Sequence, residues 1–301
     1  MRVLIVGCGY VGLPLGAALA REGCTVFGLR RNPGATEEMQ AAGIQPLFAD
    51  ITQPATLAKL PRDFDWVVNC TASGGGDAAD YRQIYYEGNR NLITWLANSP
   101  PQKYVYTSST SVYGQNDGSV VTEQDPAEPA VATGKVLVET ENLLLMAAQS
   151  GFPAVILRVA GIYGPARGHW FKAYLRGEAR IEGDGSRYLN MIHRDDLIGI
   201  IIASLLLAPA GEIFNAADNE SVTQLQYFEW LAGVLNRPLP PRLPAETEVA
   251  RRRGPTNKRV SNAKLHTVLK YAFRHPDFRA GYAAEIARLQ QAGELEFLVG
   301  G

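Results

Sequence analysis

Residues 1–31 read MRVLIVGCGYVGLPLGAALAREGCTVFGLRR. Val3-Leu4-Ile5-Val6 is short, apolar and rich in β-branched residues, as expected of a strand buried on both faces of a parallel sheet. Gly7-Cys8-Gly9-Tyr10-Val11-Gly12 follows at once. Residues 13–21 then carry the Ala and Leu of a helix, with Gly23 as its stop and a second strand expected at 25–28. A Gly-x-Gly-x-x-Gly spacing is weak evidence alone. Between a strand and a helix, with another strand behind, it marks a turn for the pyrophosphate of a dinucleotide. Gly7 permits the tight bend, Gly9 admits the phosphate to the backbone, and Gly12 lets the helix pack on the sheet. Around Tyr10 and Val11 the anion rests on free N–H groups at the positive end of the helix dipole.

A secretory leader competes for the same stretch, because Arg2 precedes an apolar run and Ala17-Ala18-Leu19-Ala20. The run before Cys8 is too short for a leader core, and glycines and Pro14 break the longer one. The nucleotide-binding turn is the stronger reading.

Composition sets the class. The 46% hydrophobic and 20% charged residues are those of an ordinary globular protein. A formal net charge of -1 gives no field favouring nucleic acid or an acidic membrane surface. Arg251-Arg252-Arg253 reads as a solvated face. The most hydrophobic run, 197–207, falls short of the roughly 20 residues a membrane span needs and reads as a buried helix. Cys8, Cys24 and Cys70 lack metal or redox spacing, which fits a reducing cytoplasm. His169, His193, His266 and His275 are scattered, so no metal site is expected.

Strands and helices alternate through the first half. Strands are expected at 46–48, 66–70, 103–107 and 154–159, and helices at 81–97 and 135–149. This alternation predicts an α/β, doubly wound parallel sheet of the Rossmann type. Ligands of such sheets bind beyond the carboxyl ends of the strands, where Asp50, Thr71-Ala72-Ser73, Ser109 and Ala160 fall. Dinucleotide proteins that take NAD place an acid about 20 residues after the glycine turn, to hold the ribose hydroxyls. Here that place reads Arg30-Arg31-Asn32. Two guanidiniums suit a 2′-phosphate, so NADP(H) is expected over NAD(H).

The chain resembles the extended short-chain dehydrogenases/reductases of the NAD-dependent epimerase/dehydratase type. The likeness rests on the glycine turn, Asp50-Ile51, Ser108-Ser109-Thr110-Ser111-Val112-Tyr113-Gly114 and Lys135 with Glu139. It extends through Leu157-Arg158-Val159-Ala160-Gly161-Ile162-Tyr163-Gly164-Pro165, Asn190-Met191-Ile192-His193-Arg194-Asp195-Asp196 and Lys258-Arg259-Val260-Ser261-Asn262. It implies a dinucleotide domain of residues 1–165 plus about 191–217, and a smaller discontinuous substrate lobe of 166–190 and 218–301. It further implies that Asp50 and Ile51 flank the adenine, and that Thr71, Ala72, Ser73, Val159 and Ala160 line the rest of the cofactor.

The family exchanges a substrate proton through a Tyr, with a Lys four residues later and a Ser or Thr on the preceding strand loop. Ser109 and Lys135 match the Ser and the Lys, and Lys135 would hold the nicotinamide ribose. Val131 stands at the Tyr position. Tyr113, on the loop of Ser109, is the nearest substitute acid. Tyr85 either faces the cofactor or packs between helix and sheet.

Arg158, Arg187, Asn190, His193, Lys258 and Arg259 would face the substrate, and the arginines suit a phosphate or carboxylate. Capping of the helix at 197–207 by an Asp competes with a catalytic role for the stretch around His193. Residues 257–262 are expected as a loop pinned over the cleft. The implied activity is an oxidoreductase or epimerase acting on a hydroxyl or carbonyl of a small or nucleotide-linked substrate. The alternative is a non-catalytic NADP(H)-binding sensor or partner protein. A small-molecule substrate and a possible homodimer complete the expectations, with no nucleic acid and no membrane partner.

Overall fold

The computed structural model describes residues 1–244 and 256–293, so Arg251, Arg252 and Arg253 lie outside the described residues. The chain begins with β1 (Arg2–Val6), α1 (Gly12–Arg21) and β2 (Thr25–Arg30), then α2 (Thr36–Ala41), β3 (Ile44–Phe48), α3 (Pro54–Leu57) and β4 (Trp66–Asn69). Next comes a helical stretch in three parts, α4 (Ala78–Tyr81), a π-helical segment (Arg82–Glu87) and α5 (Gly88–Leu96). After it come β5 (Lys103–Ser109), β6 (Val120–Val121), α6 (Ala132–Gln149), β7 (Ala154–Val159) and β8 (Gly161–Tyr163). The remainder is α7 (His169–Leu175), β9 (Tyr188–Leu189), β10 (Met191–His193), α8 (Arg194–Leu207), β11 (Ile213–Ala216), β12 (Val222–Thr223), α9 (Gln224–Leu235), β13 (Arg259–Val260) and α10 (Phe278–Gln291).

Seven strands form one parallel sheet in the order β11-β7-β5-β4-β1-β2-β3. The order runs outward in both directions from β1 and β4, so the two halves of a doubly wound sheet part between these neighbours. Residue alternation explains the layers, because successive side chains leave opposite faces of a strand. Val3 and Ile5 join Leu15, Leu19, Leu197 and Ile201 on one face. Leu4 and Val6 join Leu92, Trp95, Leu96 and Leu144 on the other. Burial on both faces is why the strand sequences are continuous apolar runs.

A third core, rich in aromatic residues, belongs to the lobe. Tyr163 and Tyr282 stack with centroids 4.5 Å apart, and Phe171, Tyr174, Tyr227, Phe228 and Phe278 surround them. Val260, Leu265 and Leu269 instead pack in the sheet core with Leu197 and Phe214. The lobe expected over 218–301 therefore gives up this segment to the sheet.

Two element boundaries differ from expectation. The helix expected at 81–97 starts earlier, at Ala78, where Asp77 and Asp80 form a capping box. Residues 257–262 are pinned, but as β13 paired in parallel with β6 at Arg259↔Val120 and Val260↔Val121. The run 197–207 lies within α8 and is buried at Leu197, Ile198, Ile200, Ile201 and Leu205, but Leu206 and Leu207 at its end are exposed, and no helix among the described residues is long and apolar enough to cross a membrane.

Candidate cofactor cleft and active site

A cleft of about 490 Å³ opens where β1, β2, β4, β5 and β7 end. At one end lies the glycine turn. Gly7 has φ 85°, and a Cβ there would stand 2.7 Å from the Thr71 nitrogen, so only glycine fits. Gly9 is the opposite case: nothing lies within 4 Å of its absent Cβ, and the backbone is bare toward the cleft. Between them Cys8 is fully buried, which pushes its thiol up to about 11 and keeps it a packed, protonated group. Val11 is the N-cap residue of α1 and makes no side-chain cap, and the first turn of the helix carries no acid. The Leu13 N–H donates to the Gly9 carbonyl at 2.8 Å and Pro14 has no N–H, so the N–H groups of Tyr10, Val11 and Gly12 make the cradle, which fits a dinucleotide diphosphate.

Arg30, Arg31 and Asn32 form a lip of the cleft. Strand β2 runs on to Arg30, two residues beyond its expected end, and delivers these side chains there. Arg30 Nη1 lies 3.6 Å from Glu38 in a partly exposed pair of little strength. Asn32 Oδ1 is occupied by the Gly34 N–H at 2.9 Å. Asp50 is the single acid among the described lining residues, and its carboxylate holds its own turn through Thr52 N and Oγ1, at 2.9 and 2.8 Å. Ile51, Thr71, Ala72, Val159 and Ala160 continue the wall, whereas Ser73 does not line it. The Ser73 N–H donates to the Tyr85 hydroxyl at 3.1 Å, which fixes Tyr85 as a second lining side chain.

The expected catalytic group divides. Ser109 lines the cleft, and its Oγ accepts the Ser111 N–H at 3.2 Å. Tyr113 does not. It is fully buried, and its hydroxyl lies 2.9 Å from the Thr122 carbonyl, 2.8 Å from Asn215 Oδ1 and 2.9 Å from Arg158 Nη1. Burial pushes this phenol up, against the lowering effect of Arg158. The 3-10 turn at Thr110–Val112 swings Tyr113 inward, so it is a core residue and not the substitute acid.

Lys135 is exposed and lies outside the cleft wall, while Leu137 lines it. The rotation of α6 is set by Glu141, which is buried and accepts from Ser108 Oγ at 2.6 Å and from Arg158 at 2.8–3.2 Å. Two residues along a helix turn the side chain by about 200°, so Lys135 points away when Leu137 points in. Glu139 is also exposed, where it pairs with Arg82. Val131 is the N-cap residue of α6, before its first turn.

The six expected substrate residues lie apart from the cleft wall. Arg158 is buried in its ion pair with Glu141. Arg187 contacts Glu182 at 3.5 Å and the Thr256 carbonyl at 3.2 Å. Asn190 Nδ2 donates to the Lys258 carbonyl, and its Oδ1 accepts from Ser221 and Val260. Lys258 is buried with Nζ on the Tyr113 carbonyl at 3.0 Å, and Arg259 Nε donates to the Gly118 carbonyl at 2.9 Å. These polar groups satisfy backbone atoms where β13 and its neighbours return to the sheet. His193, not an Asp, caps α8: its Nδ1 accepts the Asp195 N–H at 3.2 Å. Its ring lies 3.7 Å from that of His275, so the fold joins two histidines far apart in sequence. Asp196 beside them accepts from Tyr271, Arg274 and His275 through both oxygens.

Sequence reasoning missed Tyr81 and Arg167 as lining residues. The Tyr81 hydroxyl makes no hydrogen bond within the described residues, and its ring packs on Tyr85 with centroids 5.0 Å apart. Its spacing of four from Tyr85, on one helical stretch, was the available signal.

A seven-stranded parallel sheet, a bare glycine turn and a cleft across the switch point define a dinucleotide-binding α/β protein. The NAD dependent epimerase/dehydratase family profile matches residues 3–217, and the chain belongs to that family. It is 27% identical to Protein YeeZ of Escherichia coli (strain K12) over 288 residues, 92% of this chain and 97% of that protein. It is 25% identical over 311 residues to the UDP-glucose 4-epimerase of Corynebacterium glutamicum, covering 93% of each. Among solved structures, a protein of Methylobacillus flagellatus described as a candidate NAD-dependent epimerase/dehydratase superposes with TM-score 0.75 at 31% identity, covering 96% of this chain and 98% of that one.

Proposed function

We propose that the chain is an NADP(H)-dependent oxidoreductase or epimerase acting on a hydroxyl or carbonyl of a small or nucleotide-linked substrate. The observation that carries the cofactor choice is the lip of Arg30 and Arg31, with no acid at the end of β2. Guanidiniums there favour a 2′-phosphate by charge-assisted, bidentate bonds. Bound NADP(H) would supply hydride exchange. Ser109 would hold the substrate oxygen by a hydrogen bond from the cleft floor.

Proton exchange needs a different group from the family's. The cleft side of α6 carries Leu137, and one turn earlier on the same side stands Thr133. We infer that Thr133 and Leu137 occupy the positions of the family's Tyr and Lys, in place of Val131 and Lys135. Tyr81 then supplies the phenol, since its hydroxyl is left to a ligand.

The second reading, an NADP(H)-binding sensor or partner protein without hydride chemistry, is favoured by Leu137 where a Lys is needed. Titration with NADPH and NADH tests the cofactor, and tighter NADH binding overturns the assignment to Arg30 and Arg31. Turnover is then sought with aldehydes, ketones and nucleoside-diphosphate hexoses, for the parent and for Tyr81→Phe. Loss of a measurable rate in Tyr81→Phe, with NADPH affinity kept, supports the enzyme. Tight NADPH binding with no oxidation on the whole panel supports the sensor.

A further inference from the structure

We propose that Arg167 is a ligand for the cofactor's diphosphate, carried to it by a loop that the last helix, α10, holds in shape. The proposal rests on the reading of the cleft as a dinucleotide site.

The loop 164–168 closes on itself. Gly164 and Arg167 exchange both backbone hydrogen bonds, at 3.0 and 2.9 Å. At its tip Ala166 has φ 56°, a left-handed conformation that a non-glycine residue adopts at a cost. Three contacts hold it there. The Ala166 N–H donates to Glu285 Oε1 at 3.1 Å, and buried Glu285 is itself fixed by Arg288 at 3.0 Å. The Tyr10 hydroxyl donates to the Pro165 carbonyl at 3.0 Å. Gly168, with φ 152°, lies so close to α10 that a Cβ would stand 2.7 Å from the Tyr282 hydroxyl.

The outcome of this construction is the place of one cation. The Arg167 guanidinium lies 4.8 Å from the ring centroid of Tyr10, the residue that follows Gly9 in the glycine turn. It lines the cleft and has no acidic partner among the described residues. Arg194 makes the contrast: it lies 5.2 Å from the same ring, but Asp195 neutralises it at 2.9 Å. An unpaired guanidinium beside the uncapped start of α1 adds to one positive field. The chemistry that answers both is a diphosphate, which accepts a bidentate guanidinium on one side and helix N–H groups on the other. The lip arginines Arg30 and Arg31 address a different phosphate, the one that distinguishes NADPH from NADH.

That difference gives the test. The full chain, Arg167→Met, Arg167→Lys and the double variant Arg30→Ala with Arg31→Ala are titrated with NADPH and with NADH, with melting curves as the control for folding. Arg167 is exposed, so its variants keep the parent's melting behaviour. Arg167→Met is expected to weaken both dinucleotides alike, by about tenfold or more, the loss of a charged hydrogen-bond pair. Arg167→Lys should recover part of that loss, and the double variant should weaken NADPH alone. Unchanged affinities in Arg167→Met, beside a parent that binds, overturn this inference and leave the cofactor site standing. A loss confined to NADPH overturns it too, by placing Arg167 on the 2′-phosphate. A parent that binds neither dinucleotide overturns both the inference and the reading on which it rests.

Discussion

Arg158 and Glu141 form a buried ion pair beneath the cleft, with Nη2 and Oε2 2.8 Å apart and side chains only 6% and 2% exposed. The pair joins the C-terminal end of β7 to the middle of α6 and fixes which side of that helix faces the cleft. Removing one partner strands a charge in a dry place, which costs about 3–5 kcal/mol. Arg158→Met is therefore expected to lower the urea midpoint sharply. A midpoint close to the parent's would show that the pair does not carry the register of α6.

Tyr113→Phe tests the reassignment of that residue to the core. The substitution leaves Arg158 Nη1 and Asn215 Oδ1 short of a partner, so a stability loss of about 1–3 kcal/mol is expected. Affinity for NADPH should stay as in the parent. A selective loss of affinity, with stability kept, would place Tyr113 at the cofactor after all.

The rotation of α6 makes opposite predictions for two repairs of the family pair. Thr133→Tyr with Leu137→Lys puts a phenol and an amine on the cleft side, while Val131→Tyr adds a phenol before the helix begins. Positioned acid–base groups contribute about 10²–10⁴-fold, so even a poorly placed pair should raise carbonyl reduction by about tenfold or more over the parent. Val131→Tyr should give no gain. A gain in Val131→Tyr alone would restore Val131 and Lys135 as the catalytic positions.

His193 makes stability depend on pH. Burial first, then His275, lowers its pKa from the ordinary 6.5 to about 4, and Asp195, Asp196 and Arg194 are the other charged groups facing it. The folded form thus prefers neutral His193, whose Nδ1 must accept the Asp195 N–H. Between those two values the unfolded chain binds the extra proton, so stability is complete above about pH 6.5 and falls as pH drops toward 4. Urea midpoints measured from pH 7.5 to 4.5 should decline for the parent and decline less for His193→Gln. Equal slopes would remove His193 from the explanation.

The sheet was legible in the sequence because its strands are continuous apolar runs with turn residues between them, and glycine spacing between the first strand and the first helix has few other uses. The wall of the cleft followed, since it forms where those strands end. The catalytic side did not. Lys135 and Glu139 match a motif, but the motif records spacing along a helix and not the angle at which the helix lies. That angle depends on Glu141, Arg158 and Ser108, three residues from separate elements. Arg167 was hidden for a related reason, because its loop is held by Glu285, which lies 119 residues after the Ala166 whose N–H it accepts.

Residues 256–293 lie beyond the stretch that the family profile matches, yet the earlier part of the chain leans on them. Val260 pairs with Val121 of β6, Lys258 Nζ donates to the Tyr113 carbonyl, the His275 ring packs at a tilt on His193, and Glu285 sets the loop of Arg167. A fragment cut at residue 217 would keep all seven strands of the large sheet and lose every one of these supports. Such a fragment is expected to express as an aggregation-prone, partly ordered species, and homology boundaries here are poor guides for cutting the gene.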